Sequence, residues 1–351
     1  MGGHLLNVIR ALKPKADIEL FDGTLMPDDL VVTTEPGSEI ESAQVLPVPV
    51  GDDWGWWEWS KRALQTERGI AGCLGDGQPL PTNGTTADPF GPAGSFICYQ
   101  FHKLQPVALR RIEKVLGGFA EDTDRHLFLL AMRGTPEALA EYYMQRLFST
   151  VQYDEMIKLE PGAVVLNGGI HLGHELPLFL ARMEGRGVLH NFDPLGYDYL
   201  SDYARRWLGA YPDANKEQRF AMEGETGSVR FMVGEGGQAS GRDLDLIKKI
   251  EGSQRFPAID PETFISSRNL NRLDFVKLDL EGAEYRVVPA LVPVIRKFRP
   301  QLAISIYHDI SHYWAIPELL MGILEGYRFR LGHYSSQAYE LILYGTPEER
   351  L

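Results

Sequence analysis

Past residue 160 the apolar positions settle into a repeating rhythm. Short continuous apolar runs predict strands over 163–166, 187–192, 218–222, 229–233, 275–278, 302–306 and 341–344. Between them, apolar residues recur three to four apart and predict helices over 176–183, 197–208, 285–295 and 317–325. Strands that are apolar throughout, rather than alternating, suit burial on both faces. The pattern therefore predicts an α/β fold, a parallel sheet with helices on both of its faces.

The first half of the chain lacks this rhythm. Leu5, Leu6, Ile9 and Leu12 have helical spacing, and 16–21 and 30–34 read as short strands. Trp54, Trp56, Trp57 and Trp59 follow, then a stretch from 72 to 94 rich in Gly, Pro, Thr and Asp. That composition cannot supply a core and reads as a long loop. The tryptophans suggest either carbohydrate stacking or, preferably, ordinary apolar packing against the domain or a partner chain, which makes a homodimer an open expectation. From 106 to 150 the pattern is helical, with Leu127, Leu130 and Met132, then Leu139, Tyr142, Tyr143 and Leu147, on common faces, and with Pro136 suited to a first helical turn. Three regions result: a mixed N-terminal region over 1–105, a helical layer over 106–150 and an α/β domain over 151–351.

Charge narrows the partners. The 48 acidic residues outnumber the 35 Lys and Arg, for a net charge of -13. Such a field repels phosphate backbones and anionic lipid surfaces, so neither nucleic acid nor membrane is an expected partner. The two cysteines, Cys73 and Cys98, have neither a disulfide framework nor metal-ligand spacing. No stretch approaches the roughly 18 apolar residues a bilayer span needs, and the first residues lack the features of a signal peptide, so the expected compartment is the cytoplasm. Asn83-Gly84-Thr85 fits a glycosylation sequon and reads as a turn.

Four segments carry candidate chemistry. Val164-Val165-Leu166-Asn167-Gly168-Gly169-Ile170-His171-Leu172-Gly173 is a strand, a glycine turn and a helix start, which lets a ligand approach the backbone and the free N–H groups of the helix end. A nicotinamide fingerprint would place a second glycine where Ile170 stands. His190-Asn191-Phe192-Asp193-Pro194 ends the next strand about twenty residues on, where an acid can accept both ribose hydroxyls. Asp274-Phe275-Val276-Lys277-Leu278-Asp279-Leu280-Glu281-Gly282-Ala283-Glu284 delivers carboxylates at a strand's C-terminal end, the edge where open α/β sheets bind ligands. Its acids are either put to use or serve as helix N-terminal charge, the latter fitting Glu284 better than Asp279. Ala303-Ile304-Ser305-Ile306-Tyr307-His308-Asp309 brings a histidine, the usual general base near neutral pH, to the same edge, with His333-Tyr334-Ser335 a later candidate for that pocket.

Taken in order, these segments resemble the FkbM-type S-adenosylmethionine-dependent methyltransferases. The resemblance runs from about Gln152-Tyr153 to Tyr344. It rests most firmly on Phe275 to Glu284, which matches that family's hydrophobic-Lys-hydrophobic-Asp-hydrophobic-Glu-Gly-Ala-Glu segment. Ile259-Asp260, Arg299-Pro300, Tyr307-His308, Ile316-Pro317 and His333-Tyr334-Ser335 reinforce it. The chain departs from the family in carrying Asn167 where Asp is usual, and in His171.

The resemblance implies a Rossmann-like methyltransferase sheet and O-methylation of a hydroxyl on a sugar or secondary metabolite. In that reading S-adenosylmethionine is the cofactor. Asn167, Gly168, Gly169 and Gly173 shape its methionine pocket, and Asp193 holds its ribose. His308 is the expected base, with Asp279 and Glu281 orienting a small-molecule or saccharide acceptor. Asp279 with Glu281 or Asp309 offers oxygen ligands for a divalent cation, but the sequence shows no complete coordination set, so no metal is expected. Two other classes stay open: a nicotinamide-dependent oxidoreductase, and a non-catalytic module with a degenerate site.

Overall fold

The computed structural model describes residues 30–33, 44–47, 106–133, 139, 142, 143, 145, 146, 151–233, 239–240, 253–309, 311–335 and 340–351. The tryptophan cluster, the 72–94 loop and the expected elements at 4–13 and 16–21 lie outside them. So do Pro136, Cys73 and Cys98. The expected strand at 30–34 is present as β1 (Leu30–Thr33), paired in parallel with β2 (Gln44–Pro47).

The α/β domain is organised around seven strands: β3 (Ala163–Gly168), β4 (Gly187–Phe192), β5 (Asn215–Gln218), β10 (Phe275–Leu278), β11 (Gln301–Ser305), β12 (Tyr327–His333) and β13 (Leu341–Pro347). Their order in the sheet is β12-β13-β11-β10-β3-β4-β5. The five strands from β5 to β11 are mutually parallel. Counted along the chain, they run third, second, first, fourth, fifth, which is the doubly wound order that places helices on both faces. The fully parallel sheet expected from the sequence needs one correction. β13 runs antiparallel to β11 and forms a hairpin with β12, so one flank is antiparallel. This pairing follows from the connection between β12 and β13, residues 334–340, which is too short for a parallel crossover.

The helices in chain order are α1 (Pro106–Gly118), α2 (Asp122–Arg133), α3 (Leu176–Arg182), α4 (Asp202–Ala210), α5 (Pro261–Ser267), α6 (Glu284–Phe298) and α7 (His312–Ile323). The core strands β10, β11 and β13 are buried at every position. Phe179 of α3 stands edge-on to Phe275 of β10, with ring centroids 5.5 Å apart, which places α3 on the centre of the sheet. The helices α1 and α2 share this core through Ile112, Val115, Phe119, Leu127 and Phe128. Asp124 of α2 accepts hydrogen bonds from the Leu331 backbone N–H (3.1 Å) and Arg330 Nε (2.7 Å), tying this layer to β12.

Three element boundaries differ from the sequence pattern, each for a local reason. α4 starts at Asp202 rather than near Tyr197, because the Ser201 hydroxyl accepts the Ala204 N–H and caps the helix there. The single strand expected over 218–222 is two: a turn closed by Phe220 N–H to the Gln218 carbonyl sends β5 into the large sheet and β6 (Ala221–Met222) into a small one. α7 begins at His312 and carries Pro317 inside it, where the sequence pattern had used that proline as the start. The small sheet has the order β6-β9-β7-β8, built from β7 (Gly227–Val233), β8 (Ala239–Ser240) and β9 (Gln254–Ile259) with β6.

Candidate active site

The order of the parallel strands reverses between β3 and β10, and the crevice outside their C-terminal ends is where such sheets bind ligands. Asn167 and Gly168 end β3 at this place. The turn beyond them is laced to both neighbours: the Gly168 carbonyl accepts from the Asp279 N–H (3.0 Å), and the Gly169 N–H donates to the Phe192 carbonyl (2.9 Å). Gly169 has a φ of +76°, and a Cβ there would stand 1.7 Å from the Asp279 carbonyl oxygen. Only glycine permits that approach. Gly173 serves the turn differently, since its missing side chain leaves room for Leu200, Leu176 and Ala204.

Asn167 is fully buried. Its amide donates to Glu175 Oε1 (2.9 Å) and Asn191 Oδ1 (3.1 Å), and its Oδ1 has no hydrogen-bond partner. Asn191 in turn donates to the Tyr197 hydroxyl. A buried acceptor without a donor is costly unless a ligand supplies one. Lys277, with its side chain 3% exposed, donates to the Gly169 carbonyl and stands 3.8 Å from Glu175 Oε1 and 3.9 Å from Asp279 Oδ2.

Asp193 leaves the end of β4 toward the same crevice. Its Oδ1 accepts the Leu195 N–H (2.9 Å) and its Oδ2 the His171 N–H (3.2 Å), with His171 in a left-handed conformation. Burial pushes the Asp193 pKa up, against these two N–H groups. Each oxygen retains a free lone pair, so the carboxylate can still accept two hydroxyls.

The acidic segment forms the other wall. Glu281 (φ 52°) and Gly282 (φ 103°) turn the chain sharply after β10 and into α6. Glu284, at the first position of α6, is wholly buried. Its oxygens accept the N–H groups of Leu280 (2.5 Å) and Gly282 (3.0 Å). His308 Nδ1 lies 2.8 Å from Glu284 Oε1, and its Nε2 lies 3.4 Å from Asp279 Oδ1 and 3.9 Å from Glu281 Oε2. Burial alone would push the His308 pKa down, but the Glu284 carboxylate overrides it and holds the pKa above that of free histidine. Reciprocally, burial would raise the Glu284 pKa, and the charge on His308 holds it below the usual carboxylate range. The Tyr307 hydroxyl donates to Asp279 Oδ1 (3.1 Å).

Of the residues singled out in the sequence, Asn167, Gly168, Gly169 and Asp193 lie on one side of this sheet edge and Asp279, Glu281 and His308 on the other. Glu284 enters as the partner of His308 as well as a helix N-terminal charge. Lys277, Glu175, Asn191 and Tyr307 had been given no role. A lysine inside a buried strand was a signal for the first, because such a charge needs partners. Asp309 serves the turn before α7 by accepting from Ser311. His333 packs edge-on to Tyr143, and Tyr334 donates to Glu155 (3.1 Å).

Residues 169–331 match the model of the methyltransferase FkbM domain, a span that holds Gly169, Asp193, the acidic segment and His308. Over these residues the chain is similar to the methyltransferase FkbM domain. Its fold agrees: the crystal structure of methyltransferase FkbM from Methylobacillus flagellatus KT superposes with a TM-score of 0.53 at 14% identity, covering 90% of this chain and 89% of that one. Fibrillarin from Aeropyrum pernix, in complex with natively bound S-adenosyl-L-methionine, is more distant, with a TM-score of 0.29 and 13% identity over 54% of this chain and 69% of its own. No curated protein matches the chain. Among the described residues, no helix is long and apolar enough to cross a membrane.

Proposed function

We propose that this protein transfers the methyl group of S-adenosylmethionine to a hydroxyl oxygen of a small-molecule or saccharide acceptor. The observation that carries the reading is the crevice at the strand reversal. There a glycine turn pressed against Asp279, a carboxylate at Asp193 and the Asp279–Glu281–His308 group lie along one edge of the sheet.

The residues divide the work. Asp193 accepts the two ribose hydroxyls. Gly168 and Gly169 let the methionine portion lie against the backbone, and Gly173 lets the following turn close. Asn167 Oδ1 and Glu175 offer acceptors to the cofactor's ammonium, and Lys277 faces its carboxylate. Glu175 thereby restores, one turn away, the negative charge that Asn167 lacks.

Methyl transfer is an in-line displacement at the sulfonium methyl, and holding the acceptor oxygen in line with that carbon accounts for most of the acceleration. The acceptor oxygen gains a bond to carbon as the methyl–sulfur bond breaks, and the hydroxyl proton is lost to a carboxylate of the Asp279–Glu281–His308 group. Glu284 fixes the ring of His308 within that group.

Calorimetric titration with S-adenosylmethionine and S-adenosylhomocysteine tests the reading. Saturable binding of both is expected, weakened at least 10-fold by Asp193→Ala, about 1.4 kcal/mol or more. Absence of binding to either compound would favour a non-catalytic module instead.

A further inference from the structure

We propose that Asp279, Glu281 and His308 bind a divalent transition-metal cation, with Glu284 orienting the histidine. The argument starts at His308 Nε2. This nitrogen is buried on a side chain 1% exposed and has no hydrogen-bond partner. The nearest acceptors, Asp279 Oδ1 at 3.4 Å and Glu281 Oε2 at 3.9 Å, are too far for a good hydrogen bond. They are at the right separation for something else. Two ligands each about 2.1 Å from a shared cation stand roughly 3.4 Å apart at a near-tetrahedral angle, the separation of Asp279, and roughly 3.9 Å apart at a wider angle, the separation of Glu281.

The opposite ring nitrogen supports the same reading. Nδ1 faces Glu284 Oε1 at 2.8 Å, the arrangement in which a carboxylate fixes the tautomer and orientation of a metal-binding histidine. Donor atoms of Asp279, Glu284 and His308 lie within 4.8 Å of one another, but Glu284 is the orienting member. Both of its oxygens already accept backbone N–H groups, and it contacts the wrong nitrogen to share a cation with Asp279. The Tyr307 hydroxyl, donating to Asp279 Oδ1, holds the second ligand in the same way.

Charge points in the same direction. Asp279, Glu281 and Glu284 surround His308, on whose Nε2 a cation would take the place of a proton, with Lys277 as the cation beside them. A dication brings that group to neutrality. One imidazole with two carboxylates suits manganese, iron, cobalt or zinc better than calcium or magnesium, which favour all-oxygen sites. Glu281, its side chain 30% exposed, sits at the open side, so the cation keeps positions free for an oxygen ligand. That this oxygen belongs to the methyl acceptor, polarised by the cation, rests on the function proposed above; the binding itself does not.

Cobalt(II) titration of the chelator-treated full-length protein, read by visible absorbance and calorimetry, tests the site. One equivalent is expected to bind, with affinity reduced at least 10-fold in Glu281→Gln and further in His308→Gln. Glu281→Gln alters a part-exposed turn and keeps the test valid should His308→Gln misfold. S-adenosylhomocysteine binding is measured on the same samples. No saturable cobalt binding, or binding that both variants leave unchanged, overturns the metal site whatever the nucleoside does. Cobalt binding without any S-adenosylhomocysteine binding leaves the cation site standing and removes the methyl-transfer reading.

Discussion

At the scale of single residues, the site depends on positions whose alternatives are physically closed. Gly169 combines a φ of +76° with a backbone carbonyl where its Cβ would go, so Gly169→Ala must move β3 away from β10. A destabilisation of about 2–4 kcal/mol is expected in denaturant unfolding, with loss of S-adenosylmethionine binding. A variant of native stability would show that the approach of Gly169 to Asp279 is not required. His190 offers a different test. Burial, with Arg268 and Lys216 nearby, lowers its pKa from 6.5 to about 4. Its ring is packed edge-on to Phe264 at 5.2 Å. The folded state resists protonation that the unfolded state accepts, so the stability linked to this residue is complete above pH 6.5 and is lost as pH falls toward 4. Denaturant midpoints of His190→Asn should therefore decline less steeply than those of the parent between those two pH values. Parallel declines would assign the acid sensitivity elsewhere.

At the scale of elements, Asp124 is the joint between α2 and the sheet. Its carboxylate serves the Arg330 side chain and the Leu331 N–H at once, inside the protein. Asp124→Ala leaves both donors unpaired and should cost about 2–4 kcal/mol. Hydrogen exchange should then speed up in α2 and β12 ahead of β3 and β10; uniform acceleration would mean that the layer and the sheet unfold as one unit. The same joint explains what the sequence concealed. The central strands were legible because β10 and β11 are apolar and buried throughout. β12 was not, because Arg328 and Arg330 interrupt its apolar positions, and their partners Glu121 and Asp124 lie about two hundred residues away in the chain. β9 and α5 went unseen for a similar reason, being short and half polar. The proline rule misplaced the start of α7, where Pro317 sits inside a helix held by tertiary packing, while α6 was expected despite carrying Pro289 and Pro293. The candidate site was legible where its residues cluster in sequence, as from Lys277 to Glu284. It was illegible where partners meet only across strands, as Asn167 meets Glu175 and Asn191, and His308 meets Glu284.

At the scale of the whole molecule, one sheet carries the groups proposed for cofactor and acceptor on the same edge, so ligand binding should report on global stability. Saturating S-adenosylhomocysteine at 100 times its dissociation constant should add about 2.7 kcal/mol to unfolding. The increment should vanish in Asp193→Ala, and a rise in Tm that survives that variant would place the ligand elsewhere. The other end of the sheet has its own consequence. Among the described residues the sheet stops at β5, four residues long, whose central Lys216 and Glu217 are exposed. A strand so short and so charged is a poor template for another chain, and it keeps the molecule from growing sheet-to-sheet into aggregates during expression and storage. Replacing Lys216 and Glu217 with valine would lengthen the apolar edge and should turn a clear concentrated solution turbid, well before the fold itself loses stability.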